Sequence, residues 1–331
     1  MDRLKIQRKM DDLYLNNEQM KRFNGYILIQ KGGEELLSKG CGVADCTTGS
    51  SFDRDTIFLI GSMTKAFTAV SILLLETQGL LNTDDCLGKY LPQYHKASKV
   101  TIGQLLSHTS GIPDYWNRVG ISSIDYNDAY DIFRFITDFD LAETPGETFR
   151  YCNSNYLILA ILIETITGIS YEAYIKENIL SPLNMHRTGV IPDHHRFDRV
   201  ATGYKMLLPT PKEAAKPENT IIFGNMLGAG CLFSTASDLA KFGTALFNGN
   251  LLSPGSLEKM FKPNLGGYGY GWFTESGKVW LGGDIVGFST RMTRYFSDGT
   301  MVIALCNVDG KKEAHMGHFS KLIEDCLFAE A

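Results

Sequence analysis

Four residues, Ser62-Met63-Thr64-Lys65, place a nucleophile and a base at a spacing that acyl transfer can use. On a helix, positions i and i+3 share a face, so the serine hydroxyl and the lysine amine come within hydrogen-bonding range. A serine hydroxyl is a weak nucleophile until a base takes its proton. Lysine serves as that base only if its pKa falls from about 10.4. Burial lowers it, and so does the positive end of a helix whose first turn it occupies. The pattern alone is weak, since residue frequencies give about one chance Ser-x-x-Lys in a chain this long. Ser256-Leu257-Glu258-Lys259 is a second match, but it follows Pro254-Gly255 in polar text, where the serine reads as a helix cap. Ser62 instead ends an apolar run, Ile57 to Ile60, and opens a helical one. There Phe67, Val70, Leu74 and Leu75 recur at three and four before Gly79.

A second element is Tyr151-Cys152-Asn153, after Pro145-Gly146-Glu147. A phenol and an amide two residues apart in a loop face the same side, one able to move protons and the other to hold a substrate carbonyl. The sequence has no P-loop, no GxGxxG between strand and helix, no GxSxG elbow and no HExxH. Gly267, Gly269 and Gly271 lie in β-like text, where packing or a bulge explains them. His194-His195 and the pair His315, His318 could be read as metal ligands, but no metal site is expected.

These residues need elements to position them. The 331 residues predict about two domains, or one with a large insertion, and 44% hydrophobic with 21% charged residues is an ordinary globular balance. A net charge of −5 with no basic run of five disfavours nucleic acid or an anionic membrane surface as partner. Tyr156 to Ile163 is the longest uncharged apolar stretch and is too short to span a bilayer. No signal core begins the chain as given, which reads as cytoplasmic, or as extracytoplasmic if a signal was trimmed. The seven cysteines are irregularly spaced and read as reduced, mostly buried thiols.

A polar helical leader runs from Met1 to Met20, and Gly25 to Gln30 with Glu34 to Ala44 reads as a hairpin. Helical text fills Asp84 to about Pro192, including Ile102 to Leu106 and Asn155 to Ile166. Past a polar, proline-containing region (Pro209 to Asn219), strand signals return. They fall at Tyr268 to Phe273, Val279 to Leu281, Phe288 to Tyr295 and Thr300 to Val308, before a helix over Lys312 to Phe328. Strands at both ends with helices between imply an α/β fold: an antiparallel sheet flanked by helices with an inserted, mostly helical subdomain. The expected division is 1–80 with 200–331 for the sheet and 81–199 for the helical part, the active site lying in the cleft between them.

Ser62-x-x-Lys65, Tyr151-x-Asn153 and Gln104 to Tyr115 (QLLSHTSGIPDY) resemble the serine β-lactamase and penicillin-binding-protein superfamily, on its class C, DD-peptidase and esterase side. Pro145 to Tyr156, Ser181 to Gly189 and Gly228 to Phe242 add matching text, and the resemblance covers roughly Phe23 to Val308. It implies a β-lactamase/transpeptidase-like fold with no metal or organic cofactor. It makes Ser62 the acylated nucleophile, Lys65 its base or proton relay, and Tyr151 the group that moves protons to the leaving group and from the deacylating water. It has Asn153 orient the substrate amide, and it takes the oxyanion hole from the backbone N–H of Ser62 and of the strand carrying a third motif. His108 reads as bracing its loop.

That third motif departs from the family, which has Lys or His, a residue, then Gly, shortly before Gly-Phe. Here the text is Trp280-Leu281-Gly282-Gly283-Asp284, with Leu281 at the cationic position and Leu281, Gly283 and Asp284 expected beside the substrate. Lys278 points to the opposite face from Leu281 on a regular strand. The expected site therefore lacks a cation unless Arg291 or Arg294 supplies one, and neutral or amine-bearing esters and amides fit it better than carboxylated ones. The reading is a serine acyl hydrolase acting on small-molecule or peptide ester or amide substrates, β-lactams among the candidates. A penicillin-binding sensor or acyl trap, and an ordinary β-lactamase, are the alternatives. The oligomeric state is not legible.

Overall fold

The computed structural model describes residues 3–118, 128–191, 193–207, 210–214, 226–309 and 316–328. Helix α1 (Arg3–Asn16) precedes the hairpin of β1 (Gly25–Lys31) and β2 (Glu34–Cys41). Strand β3 (Phe58–Leu59) and a 3-10 turn (Gly61–Met63) lead into α2 (Thr64–Thr77). Five helices follow: α3 (Ile102–Leu106), α4 (Tyr115–Arg118), α5 (Ala129–Thr137), α6 (Asn153–Thr167) and α7 (Tyr171–Ile175). Next come β4 (Gly189–Val190), β5 (Tyr204–Leu207), β6 (Thr210–Ala214) and β7 (Leu232–Ser234), then α8 (Ala236–Phe247) and α9 (Pro254–Phe261). The chain closes with β8 (Phe273–Glu275), β9 (Lys278–Ile285), β10 (Phe288–Tyr295), β11 (Thr300–Cys306), β12 (Val308–Asp309) and α10 (Met316–Phe328).

The main sheet has the order β2-β1-β11-β10-β9-β8, and every neighbouring pair in it is antiparallel. Its middle joins the two ends of the chain, since Gly25 opposes Cys306 and Lys31 opposes Thr300. Successive side chains alternate between faces, so each inner strand feeds two cores. Ile27, Ile29, Val302 and Ala304 pack with Ile6 and Met10 of α1 and Phe319 and Ile323 of α10. Leu28, Met292, Ile303 and Leu305 pack on the other face with α2 and α8. There the rings of Phe67 and Phe242 stack at 4.1 Å. Each such aliphatic side chain removed from water contributes roughly 1.5–3 kcal/mol. The fold is thus an antiparallel sheet flanked by helices, as the sequence implies.

Helix α6 is buried from Ser154 to Ile163, which explains its all-round apolar text. Among the described residues no single helix is long and apolar enough to cross a membrane. All seven cysteines are free, and Cys41, Cys152, Cys231 and Cys306 are buried.

Three expectations need correction. The proline-containing region after residue 209 holds strand β6, paired with β5. Tyr268 to Phe273 is not a strand. Gly266, Gly267 and Gly271 turn the chain with positive φ, and one bridge, Tyr268 to Phe273, precedes β8. Helix α6 starts at Asn153 rather than Asn155, so Asn153 sits in its first turn instead of a loop.

Candidate active site

Ser62 lies in the 3-10 turn that joins β3 to α2. Gly61 enters it at φ +50, and a Cβ there would come within 3.1–3.2 Å of the Asp284 backbone, so glycine lets β9 press against the turn. Thr64 pins the turn, donating to Gly61 O at 2.8 Å and accepting from Leu232 N of β7 at 3.1 Å. The apolar character of α2 then buries Lys65, 1% exposed, under the serine.

Lys65 Nζ lies 3.0 Å from Ser62 Oγ, 2.9 Å from Asn153 Oδ1 and 2.8 Å from Ala229 O. Burial pushes its pKa down to about 7, with Asp114 acting in the opposite direction. A neutral lysine amine has two N–H donors and one lone pair. Asn153 Oδ1 and Ala229 O are pure acceptors, whereas the serine hydroxyl can donate. The neutral amine is therefore fully satisfied when it accepts the Ser62 proton, which is the geometry of a general base.

Asn153 is engaged at both ends of its amide, because Nδ2 donates to Asp114 Oδ2 at 3.3 Å. Its contacts hold Lys65, and they differ from the expected substrate contact. The sequence assigns no role to Asp114 or the Ala229 carbonyl, although both fall within the strings that match the family. Asp114 is largely buried, and that burial raises its pKa. Gly228, at φ +69 with Tyr156 O 2.6 Å from where a Cβ would be, lets the chain present the Ala229 carbonyl.

Burial raises the pKa of Tyr151, while an interaction with the Ser62 hydroxyl acts the other way. The phenol thus stays protonated at neutral pH. Its ring lies 4.8 Å from Lys65 Nζ and 4.3 Å from the ring of His108. His108, at φ +58, accepts from Cys152 N at Nδ1 (3.2 Å) and from Arg150 N at its carbonyl (2.9 Å). It braces the Tyr151 loop, and burial pushes its pKa well down, so the ring is neutral.

Ser62 and Tyr151 open into a cavity of about 330 Å³ walled by Phe273 and Trp280 and floored by Gly282, Asp284, Thr290 and Arg291. Strand alternation corrects the third-motif expectation. Leu281, 4% exposed, joins the core on the α2 side and does not line this cavity. Gly283 faces the same way as Leu281. A Cβ on it would sit 1.9 Å from Ile60 O and 2.9 Å from Ser62 N, so it permits contact with the serine turn. Asp284 does reach the cavity and accepts from Ser289 Oγ at 2.5 Å.

The expected absence of a cation is overturned, because Arg291, opposite Gly282 on β10, lines the cavity. Arg294 instead donates to Gly299 O and lies over Phe247, and Lys278 pairs with Glu324 at 2.9 Å. The second Ser-x-x-Lys forms no dyad, since Lys259 binds Glu76 and Thr83. The cap of α9 is Ser253, with Ser256 inside the helix.

Ser62, set on the buried Lys65 at a strand-to-helix turn, and Tyr151 line one cavity, an arrangement able to transfer acyl groups. The family model described as Beta-lactamase matches residues 7–323, and the chain belongs to that family. It is similar to Penicillin-binding protein 4* of Bacillus subtilis (strain 168), 31% identical over 332 residues that cover 93% of this chain and 73% of the relative. FmtA from Staphylococcus aureus superposes with a TM-score of 0.82 at 27% identity, over 96% of this chain and 89% of that one. A D-amino acid amidase from Ochrobactrum anthropi shares the fold, with a TM-score of 0.82 at 22% identity over 97% and 98% of the two chains.

Proposed function

We propose that the protein is a serine acyl hydrolase that works through an acyl-enzyme on Ser62, with an ester or amide as substrate. The observation that carries this reading is the buried Lys65 amine 3.0 Å from Ser62 Oγ, with a pKa near 7 and its other contacts made to pure acceptors.

In acylation, neutral Lys65 takes the hydroxyl proton as Ser62 Oγ attacks the substrate carbonyl. The resulting oxyanion is met by the backbone N–H groups of Ser62 and Asp284, which the Gly61 contact brings together. Tyr151, kept protonated by burial, gives its proton to the leaving group and recovers one from the Lys65 ammonium. The products are the Ser62 ester and the protonated leaving group. Water then attacks that ester by the same route in reverse, releasing the acid and restoring the Ser62 hydroxyl.

Time courses with chromogenic esters, D-amino acid amides and a labelled penicillin test the reading. Many turnovers per protein molecule on an ester or amide support it. A burst of one equivalent followed by silence on every substrate makes the protein an acyl trap, and efficient turnover of the penicillin makes it a β-lactamase.

A further inference from the structure

Three residues of α2 grip one stretch of chain. Thr64 Oγ1 accepts from Leu232 N at 3.1 Å, Lys65 Nζ donates to Ala229 O at 2.8 Å, and Thr68 Oγ1 donates to Gly228 O at 2.8 Å. Lys65 and Thr68 are three apart and share a face of the helix, so they take the carbonyls of consecutive residues. The lysine contact belongs to the chemistry, and the threonine contact stands one residue behind it.

Thr68 is fully buried, and its hydroxyl carries one proton. Two buried groups lie 2.8 Å from it, the Gly228 carbonyl and the Tyr171 phenol. A carbonyl only accepts, so the threonine proton goes to Gly228 and the phenol donates to the threonine. Burial holds the pKa of Tyr171 well above its usual value, so the phenol has that proton to give. Among the described residues, Thr68 is the partner of that phenol, and without it the threonine hydroxyl is free to turn toward Thr64 O at 3.5 Å. Tyr171 is itself placed through its backbone, whose N–H donates to Glu164 Oε1 of α6 at 2.8 Å.

Gly228 O and Ala229 N belong to one peptide plane, and Ala229 N donates to Met226 O at 2.9 Å. With both ends of that plane tied, the direction of the next carbonyl, Ala229 O, is set toward Lys65. Glycine at φ +69 has the widest choice of backbone conformations, so the tie is supplied by the side chains around it. Ala229 O and Asn153 Oδ1 occupy the two N–H groups of the neutral lysine amine and leave its lone pair for the Ser62 proton. Loss of the first acceptor lets the amine rotate away from the serine. It also removes a partner that favours the ammonium form, so the lysine pKa falls.

We propose that Thr68, oriented by Tyr171, is a positioning residue for the reaction: by fixing Gly228 it aims the Ala229 carbonyl at Lys65 and holds the amine's lone pair on Ser62. This rests on the acyl-hydrolase reading only in taking Lys65 as the base. The titratable groups around Nζ are Asp114, His108, Tyr151, Tyr156, Cys152 and Cys231, and none of them is altered in the variants that test it.

The test titrates Lys65 by NMR in protein carrying isotope-labelled lysine, its signal assigned by loss in Lys65→Arg. In parallel, single-turnover acylation of Ser62 by an activated neutral ester is followed by intact mass from pH 5 to 9. Thr68→Val keeps the shape and removes the hydroxyl. It should lower the Lys65 pKa by about half a pH unit and cut the acylation plateau at least tenfold. Thr68→Ser, which restores the hydroxyl, should titrate as the wild type and acylate within about threefold of it. Tyr171→Phe should move both readouts in the same direction by less, and it decides the matter if Thr68→Val does not fold. A Thr68→Val or Tyr171→Phe protein that melts earlier yet keeps the wild-type Lys65 titration assigns the contact to stability alone and overturns the proposal. If Lys65 shifts as expected but no ester acylates even the wild type, the acyl-hydrolase reading fails and the positioning of Lys65 stands.

Discussion

Replacing Asp114 by asparagine should move the acid limb of the pH–rate profile to lower pH. Lys65 acts as a base only when neutral, and burial has already brought its pKa to about 7, with Asp114 pulling it upward. The carboxylate is linked to Nζ through one amide, by contacts of 2.9 Å and 3.3 Å. Two charges about 8 Å apart at an effective dielectric of about 20 interact by about 2 kcal/mol, or about 1.5 pH units. An asparagine carbonyl still accepts from Asn153 Nδ2, so the change removes charge and keeps the hydrogen bond. In the wild type, kcat/KM should fall tenfold per pH unit below about 7, leaving about a tenth of the plateau at pH 6. In Asp114→Asn the limb should sit near 5.5, leaving about three-quarters of its own plateau at pH 6. The assay follows a neutral chromogenic ester at an isosbestic wavelength from pH 5 to 9, with each profile normalised to its plateau. A limb that stays in place, or moves to higher pH, refutes the assignment of Lys65 as the titrating base under Asp114's influence.

Two further outcomes follow from the same geometry. Tyr151→Phe should lower kcat by roughly 10²–10⁴ with an unchanged unfolding midpoint, and a wild-type kcat would show that Lys65 alone moves the protons. Gly283→Ala should cut acylation at least a hundredfold and destabilise the protein by about 1–3 kcal/mol, because its Cβ would fall 1.9 Å from Ile60 O and nothing there is flexible. Wild-type acylation and melting would mean that β9 shifts without disturbing Ser62.

Much of this arrangement was legible in the residues. The switch from the Ile57–Ile60 run to three-four spacing after Ser62 marks the strand-to-helix turn, and that turn separates Ser62 from Ser256. The β1–β2 hairpin and strands β10 and β11 follow from alternation. Other parts depend on distant contacts. Strands β4 and β7 are two and three residues long and exist only by pairing with each other and with β3. The pairing of Arg291 with Gly282 puts it on the opposite face from Leu281, but alternation along either strand gives neither that register nor which face meets the cleft. That is set by the Gly283 contact with the serine turn. The engagement of Asn153 with Lys65 likewise depends on α6 starting two residues early beside α2.

The most direct measurement is the site of the covalent adduct. The protein is quenched during turnover of an activated ester, digested, and its peptides mapped by mass. The account predicts a single acyl group on Ser62, absent from Ser62→Ala and present in Ser256→Ala. An adduct on any other residue, or acylation that survives Ser62→Ala, would contradict it.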